Sequence, residues 1–150
     1  MRITTFTDFG LRTLIYLASL PPETLTNVQE VSKVYNVSQN HLVKVVGQLR
    51  KLGYIHALRG KNGGIHLAKP PEEINIGDVI EQLENHLDGV DCASPACQLT
   101  PCCKLRHALK DAMQAFIASM KQFTLADMMI NQDELAPLLF IDRPDSHLGA

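Results

Sequence analysis

The chain has 150 residues, of which 45% are hydrophobic and 20% are charged, and its formal net charge is −2 at pH 7. That length suits one domain that buries its own core. No stretch approaches the roughly 18 uncharged apolar residues that a membrane span requires. Asp8 and Arg12 interrupt the first apolar stretch, which favours an amphipathic helix over a signal peptide. We therefore expect a cytoplasmic protein without a membrane partner, whose thiols stay reduced.

The charge is distributed unevenly along the chain. Residues 1–70 contain nine Lys or Arg and three acids, a formal charge of +6, whereas residues 71–150 contain five and thirteen, a charge of −8. This asymmetry indicates that only the first half meets a polyanion.

The first 70 residues predict three helices followed by a β-hairpin. A first helix, in TDFGLRTLIYLASL, starts near Thr7 and is ended by Pro21. A second, in TNVQEVSKVY, opens with a capping box of Thr26 and Gln29. A third, SQNHLVKVVGQLRKLG, closes at Gly53, and YIHALRGKNGGIHLAKP predicts two strands around a glycine-rich turn. This order is that of a winged helix-turn-helix domain, to which we assign residues 1–70.

The rest of the chain predicts helices around a cysteine-rich loop. NIGDVIEQLE is a short helix capped by Asn75, and the longest periodic segment runs from about Leu105 to Met120. Because little chain is left to cover the apolar face of that long helix, we expect it to pack against a second copy in a homodimer. We assign residues 71–130 to the cysteine loop and dimerisation helices, and 131–150 to a polar C-terminal tail. The predicted fold is mainly α, a winged helix-turn-helix domain plus a long dimerisation helix.

The third helix begins with a polar run typical of a DNA-reading helix. The first residues of such a helix reach base edges in the major groove, where Gln and Asn can pair with adenine. The hairpin tip RGKNGG offers cations for phosphates or the minor groove, and glycines that permit close approach. No paired nucleophile and base is visible, which argues against an enzyme. The predicted contacts with double-stranded DNA are Arg12, Lys33, Ser38, Gln39, Asn40, His41, Lys44, Arg59, Lys61 and Asn62.

All four cysteines lie within twelve consecutive residues, with the spacing C-x4-C-x4-C-C. This spacing matches neither structural zinc sites nor ferredoxin-type runs. Thiolates bind soft metals, and because Cys102 and Cys103 are adjacent, the loop offers three separated ligands. The fourth position is left to His107 or to a carboxylate brought close by dimerisation. Buried small hydrophobic side chains and a thiol switch are the alternatives without a metal.

These segments together resemble the NsrR-type nitric-oxide-sensing repressors, which are relatives of the iron–sulfur regulator IscR. The likeness covers about residues 1 to 130 and rests on FTDFGLRTLIYLASLP, NVSQNHLVKVV, RGKNGGIHLAKP, INIGDVI, the cysteine loop and FTLADM. It implies a homodimeric winged-helix repressor with a cluster in the loop before the long crossing helix. It also implies that nitric oxide nitrosylates the cluster and weakens operator binding, which releases genes of nitrosative-stress defence.

The resemblance assigns three of the thiols as cluster ligands. They are Cys92, Cys97 and Cys103, because the last family cysteine is followed by a Lys/Arg-Leu pair and Lys104 follows Cys103 here. Cys102 falls where the family commonly has a small residue, and it is therefore an extra thiol.

The resemblance also suggests where the fourth ligand comes from. In NsrR-type proteins it is an aspartate near the start of the first helix of the other subunit, which matches Asp8, from the partner subunit. IscR instead uses a histidine three residues after its last cysteine. This sequence has Arg106 at that position, and His107 is one residue too far.

The sequence therefore predicts a transcriptional repressor, not an enzyme, whose operator affinity is controlled by an iron–sulfur cluster that reacts with nitric oxide. The cysteine count is compatible with 2Fe-2S or 4Fe-4S, and the resemblance favours 4Fe-4S. One alternative is a winged-helix regulator of Fe–S supply or a thiol-switch redox sensor. A non-regulatory alternative is a metal-carrying or electron-transfer protein.

Overall fold

The structure is a computed structural model in which residues 2–140 are described. The prediction of a mainly helical fold is confirmed, since six α-helices and one two-stranded antiparallel sheet make up its regular elements between those residues, together with two short 3₁₀ turns. In chain order they are α1 (Thr5–Ser19), α2 (Val28–Tyr35), α3 (Gln39–Lys51), β1 (Ile55–Leu58), β2 (Gly64–Leu67), α4 (Ile76–Leu83), α5 (Lys104–Met120) and α6 (Gln132–Leu139).

Helix α1 starts earlier than the sequence pattern predicted. Thr4 is its N-cap, and its hydroxyl oxygen accepts a hydrogen bond from the backbone N of Thr7 at 3.3 Å. Because this cap precedes the apolar stripe, apolar periodicity could not reveal it. The helix ends at Ser19, ahead of Pro21 as predicted.

The predicted capping box at the start of α2 is wrong. Asn27 is the N-cap, and its side-chain oxygen accepts a hydrogen bond from the backbone N of Glu30 at 2.9 Å. Thr26 instead pairs with Ile65 through backbone hydrogen bonds, as an added rung beside β2. Thr26 therefore pairs with the β1–β2 sheet, whereas the sequence pattern placed it at the start of the helix.

The turn between α2 and α3 is made at Asn36, which has a left-handed conformation with φ 50°. Asparagine tolerates this conformation better than most residues, and it ends α2 cleanly. Ser38 occupies the N-cap position of α3, although its side chain makes no capping hydrogen bond. Gly53, with φ +80°, follows α3 and turns the chain into the hairpin.

One hydrophobic core runs through both predicted parts of the chain. Leu14 of α1 and Val45 of α3 are fully buried in the same cluster as Ile74, Val79 and Leu125. Helix α1 packs against both α3 and α4. The core therefore continues past the prolines at 70 and 71.

The segment assigned to a tail from residue 131 begins with helix α6. Leu139 is buried, and the ring of Phe140 lies 5.7 Å from the ring of Tyr16, centroid to centroid. Apolar side chains at helical spacing, Leu135 with Leu139, anchor this helix to the core. The polar end RPDSHLGA, expected to fray, lies outside the described residues.

Within residues 2–140, the helices are too short or too polar to cross a bilayer.

Gly77 in α4 provides a test of how α4 packs on the end of α5. A Cβ atom added at Gly77 would lie 2.5 Å from the backbone N of Lys121 and 2.8 Å from its Cα. We expect Gly77→Ala to lower the free energy of unfolding by about 1–3 kcal/mol, measured by urea denaturation.

Gly47→Ala is the matched control, because a Cβ atom added at Gly47 in α3 meets nothing within 4 Å. This substitution should raise stability by up to about 1 kcal/mol through helix propensity. Equal stabilities of the two variants would contradict the close packing at Gly77.

Candidate DNA-binding surface and cysteine loop

One face of α3 is open to solvent and forms the centre of the candidate DNA-binding surface. Gln39, Asn40 and Lys44, three of the predicted DNA contacts, are exposed on it. The opposite face, with Leu42 and Val45, is buried against α1 and α2. Burying this stripe leaves the polar residues at the start of α3 free to enter a groove.

Val43 was missed by sequence reasoning. Its side chain is 52% exposed and lies on the same helical face as Asn40 and Lys44 by spacing. An exposed apolar side chain on a DNA-reading helix suits contact with a thymine methyl group. In the sequence, its position three residues after Asn40 indicates that it shares the face of α3 on which Asn40 lies.

His41 lies differently from its neighbours at the start of α3. Its ring is 5.2 Å from the ring of Phe9 and 6.4 Å from that of Phe6, both in α1, and its side chain is half-buried. The ring therefore forms part of the contact between α1 and α3, and only the remaining exposed part faces solvent.

The hairpin turn carries the other predicted DNA contacts. Arg59, Lys61 and Asn62 are all exposed between β1 and β2. Gly60 has φ +108°, a conformation that side chains rarely adopt, so the tip requires glycine there. The turn thus projects two cations from a hairpin held on the core by Ile55 and Ile65.

Arg12 is held in a contact between α1 and α2. Its Nε donates to Asp8 Oδ1 at 2.9 Å, and its guanidinium lies 5.9 Å from the centroid of the Tyr35 ring. The Tyr35 hydroxyl donates in turn to the Arg12 carbonyl oxygen at 2.8 Å. Burial raises the pKa of Tyr35 to about 12, so this hydroxyl keeps its proton at neutral pH. Lys33 on α2 is exposed and free of such packing.

The four cysteines lie in the segment that joins α4 to α5. All four are free thiols; Cys97 and Cys102 are exposed, and Cys92 and Cys103 are half-exposed. Local turns shape the segment: the backbone N of Cys97 donates to the Cys92 carbonyl at 3.1 Å, and the backbone N of Cys102 donates to the Leu99 carbonyl at 3.0 Å. Few of its side chains reach the core, so its conformation depends on its own backbone.

Asp91 organises the entry to this loop. Its Oδ1 accepts hydrogen bonds from the backbone N of Ala93 at 2.8 Å and of Ser94 at 3.2 Å. These bonds lower the pKa of the Asp91 carboxyl group below its usual value. The carboxylate is therefore engaged in shaping the turn immediately before and around Cys92.

Cys103 differs from Cys102 because it begins helix α5. It is the N-cap residue, and its Sγ accepts a hydrogen bond from the backbone N of Arg106 at 3.4 Å. The sulfur thereby satisfies one of the backbone N–H groups that the first turn of a helix leaves without a partner. Cys102 has an exposed side chain and no comparable role in the helix.

The described part of one chain does not bring a complete metal site together. Among residues 2–140, no group of three His, Cys, Asp or Glu side chains is placed to hold a metal ion. Asp8, at the start of α1, pairs with Arg12, and His107, in the first turn of α5, is exposed. The sulfur donors suit an iron–sulfur cluster chemically, but the loop has to gather them around it.

Helix α5 presents two apolar faces. Met113 and Ile117 are buried against α4, as expected for a helix of this domain. The second face contains Leu105, which is 66% exposed, together with the exposed Ala108 and Ala112. A stripe of this kind on a long helix is typical of a surface that another helix covers.

The fold and these surfaces define a winged helix-turn-helix DNA-binding protein with a cysteine-rich loop before its longest helix. The model of the Rrf2 family, described as iron-dependent transcriptional regulators, matches residues 3–131. The chain therefore belongs to the Rrf2 family. Members are DNA-binding transcriptional regulators, which confirms that the chain is not an enzyme.

Solved structures agree with this assignment. CymR (YrzC), the global cysteine regulator of B. subtilis, is 26% identical, with a TM-score of 0.67 over 85% of this chain and 95% of that one. The oxidized form of S. aureus CymR is 29% identical, with a TM-score of 0.60 over 87% and 97%. IscR of T. potens is 23% identical and shares the fold, with a TM-score of 0.69 over 90% of each chain.

The two kinds of predicted DNA contact in α3 should respond differently to substitution. We expect Asn40→Ala to weaken binding to a selected operator by about 1–3 kcal/mol and to relax preference at one base pair. Lys44→Ala should weaken binding to all sequences alike and reduce the salt dependence, d log K/d log[salt], by about 1. Fluorescence anisotropy at several salt concentrations measures both effects.

Lys110→Ala serves as the control, because Lys110 is an exposed cation of α5 and belongs to neither α3 nor the hairpin. It should change neither affinity nor salt dependence. An effect of Lys110→Ala equal to that of Lys44→Ala would contradict the assignment of the α3 face.

Proposed function

We propose that this chain is a homodimeric, cytoplasmic repressor of the NsrR type, whose affinity for its operator is controlled by an iron–sulfur cluster that reacts with nitric oxide. One observation carries the proposal: four free thiols lie in one loop that leads directly into α5, in a member of a family of iron-dependent regulators. When bound, the cluster supplies iron that reacts with nitric oxide. The protein's own residues convert that reaction into a change of DNA binding.

Three thiols and one carboxylate would hold the cluster, which we propose to be 4Fe-4S. They are Cys92, Cys97 and Cys103, with Asp8 from the partner subunit. The chemistry of the thiols fits, since cysteine thiolates are the usual ligands of such clusters. A carboxylate from another chain fits the finding that residues 2–140 of one chain contain no complete group of ligands.

Asp8 is suited to a role that changes with the state of the loop. Its side chain is 35% exposed, and its carboxylate pairs with Arg12, an exposed cation on the same helix, at 2.9 Å. Such surface ion pairs contribute little, typically less than about 1 kcal/mol, so a stronger ligand interaction can displace Arg12. The carboxylate is therefore available without disruption of the core.

Helix α1 connects Asp8 with the DNA-binding surface. Arg12 joins α2 through the ring and hydroxyl of Tyr35, and Phe9 joins α3 through the ring of His41. A shift of α1 on release of Asp8 would therefore move both helices of the helix-turn-helix pair. That is a coupling between two sites through one rigid element, which a ligand-controlled repressor requires.

Dimerisation is supported by the second apolar face of α5. The exposed Leu105, Ala108 and Ala112 recur at intervals of three and four residues, the spacing of helices that pack side by side. In a dimer built on this face, the loop before α5 lies near the partner rather than at a free surface. The acidic second half of the chain then forms the dimer, while the basic half meets DNA.

A thiol-switch regulator is the second candidate. The exposed Cys97 and Cys102 and the 29% identity with a CymR that forms an oxidized state favour it. It predicts a response to peroxide without iron. A metal-carrying or electron-transfer protein is not proposed, because the chain belongs to a family of transcriptional regulators.

The two adjacent cysteines should differ in their effect on the cluster. We expect Cys102→Ala to retain the cluster and Cys103→Ala to lose it. Anaerobic purification, visible absorption and iron per chain give the measurement, with about four irons expected for 4Fe-4S and about two for 2Fe-2S.

Cys103→Ser is the control for the structural role of Cys103. Serine is a good N-cap, so this variant should keep the start of α5 while lacking the soft ligand. Cluster loss in Cys103→Ser with unchanged helicity supports ligation. Full retention of iron in this variant would contradict it.

Asp8→Ala tests the fourth ligand and the signal together. The wild-type protein, titrated anaerobically with nitric oxide, should lose its cluster absorption and its operator binding in parallel. Asp8→Ala should lose iron faster than the wild type, because one ligand is missing. Arg12→Ala is the matched control, since it breaks the same ion pair but keeps the carboxylate.

The possible outcomes separate the hypotheses. Iron loss in Asp8→Ala alone supports ligation by Asp8, whereas equal loss in Arg12→Ala would show that only the ion pair matters. Operator affinity that stays unchanged after reaction with nitric oxide would exclude the nitric-oxide sensor. A response to peroxide by the cluster-free protein would favour the thiol switch.

A further inference from the structure

The β1–β2 hairpin, which is the wing of this fold, carries two histidines directly opposite each other on its outer face. In the β1–β2 register His56 is paired with His66, and their neighbours Ile55 and Ile65 point to the core. Because side chains alternate across a strand, both imidazoles project from the face away from the core. His56 is exposed and His66 is half-exposed.

The hydrogen bond of His66 determines which of its nitrogens is free. Its Nδ1 lies 2.8 Å from the backbone carbonyl oxygen of Leu67. A carbonyl oxygen only accepts hydrogen bonds, so Nδ1 carries the proton and Nε2 of the neutral ring has a lone pair. A histidine that donates through one nitrogen to a carbonyl and offers the other is the arrangement common among metal ligands.

The separation of the two rings suits a shared metal ion. Their centroids are 5.4 Å apart, with an angle of 52° between the ring planes. With Zn–N bonds of about 2.0–2.1 Å and tetrahedral angles, two imidazole centroids on one zinc ion lie about 5.2 Å apart. The observed separation of the centroids is therefore close to that of two imidazoles on one ion.

We propose that His56 and His66 form a binding site for a divalent transition metal ion of the Zn²⁺ type on the outer face of the wing. Among residues 2–140 no third His, Cys, Asp or Glu completes a group with them, so water or an external ligand fills the remaining positions. The site is separate from the cysteine loop in sequence, and its donors are imidazoles rather than thiols.

A metal ion at this position would join the two strands of the wing. It would restrict the hairpin that carries Arg59 and Lys61 and would add positive charge beside them. Once one imidazole holds the ion, the other is present at a high effective concentration beside it. Each ligand therefore contributes far more to the affinity for the ion than it would alone.

The test uses the full-length chain with its four cysteines replaced by serine, because thiolates would compete for zinc. Zn²⁺ is titrated while the imidazole nitrogens are followed by NMR. We expect the signals of His56 and His66 to shift together and saturate at one zinc per chain. The signals of His86 and His107 should not move with them.

Variants test whether both rings are required. His56→Gln and His66→Gln should each weaken zinc binding about 100-fold, since the chelate is lost. His86→Gln, a change at an exposed histidine outside the hairpin, should bind zinc like its parent. As a second measurement, zinc should raise the Tm of the parent and of His86→Gln but not of the two wing variants.

Two results would overturn the site. One is a zinc-induced shift of only one of the two rings, or of neither. The other is an affinity that stays within threefold of the parent in His56→Gln while circular dichroism shows an intact fold. The variant used in this test lacks the four cysteines. Neither result therefore tests the proposed iron–sulfur cluster.

Discussion

The close packing of α1 against both α3 and α4 is the constraint on which the rest of the structure depends. Gly10 makes it possible, because a Cβ atom there would lie 2.6 Å from Leu83 Cδ1 of α4 and 3.8 Å from Val45 Cγ1 of α3. Thr13, which is fully buried, satisfies its hydroxyl by donating to the Phe9 carbonyl within the same helix. The helix can therefore be enclosed on several sides without an unpaired polar side chain.

These contacts give α1 a structural role and, in the proposed repressor, a regulatory one. Its buried faces hold the DNA-binding half and the second half in one core. Its remaining face presents Asp8 and Arg12, and Arg12 contacts Tyr35 of α2. A helix that packs on so many partners cannot move alone, so a force applied at its first turn reaches the DNA-binding helices. In the proposed repressor, this makes an α1 carboxylate an effective point of control.

The cysteine loop, unlike α1, has few contacts with the core. Its cysteines are free and partly or fully exposed, and the turns around them are made by backbone hydrogen bonds and by Asp91. Such a segment gains little from hydrophobic burial, so its conformation can follow a bound group or a partner chain. Only Cys103 is tied to a regular element, as the N-cap of α5. The fold thus combines a closely packed DNA-binding domain with a cysteine loop whose conformation can change.

Local sequence patterns were sufficient for helices α1 to α5 and for the hairpin, because apolar periodicity, glycines and caps act within a few residues. The concentration of four thiols also identified the loop from the sequence alone. Other features depended on contacts between distant residues. Thr26 pairs with β2 instead of capping α2, α6 packs on Tyr16, His41 packs on Phe9, and Arg12 joins Asp8 to Tyr35. No local pattern contains these contacts, since tertiary packing alone brings the partners together.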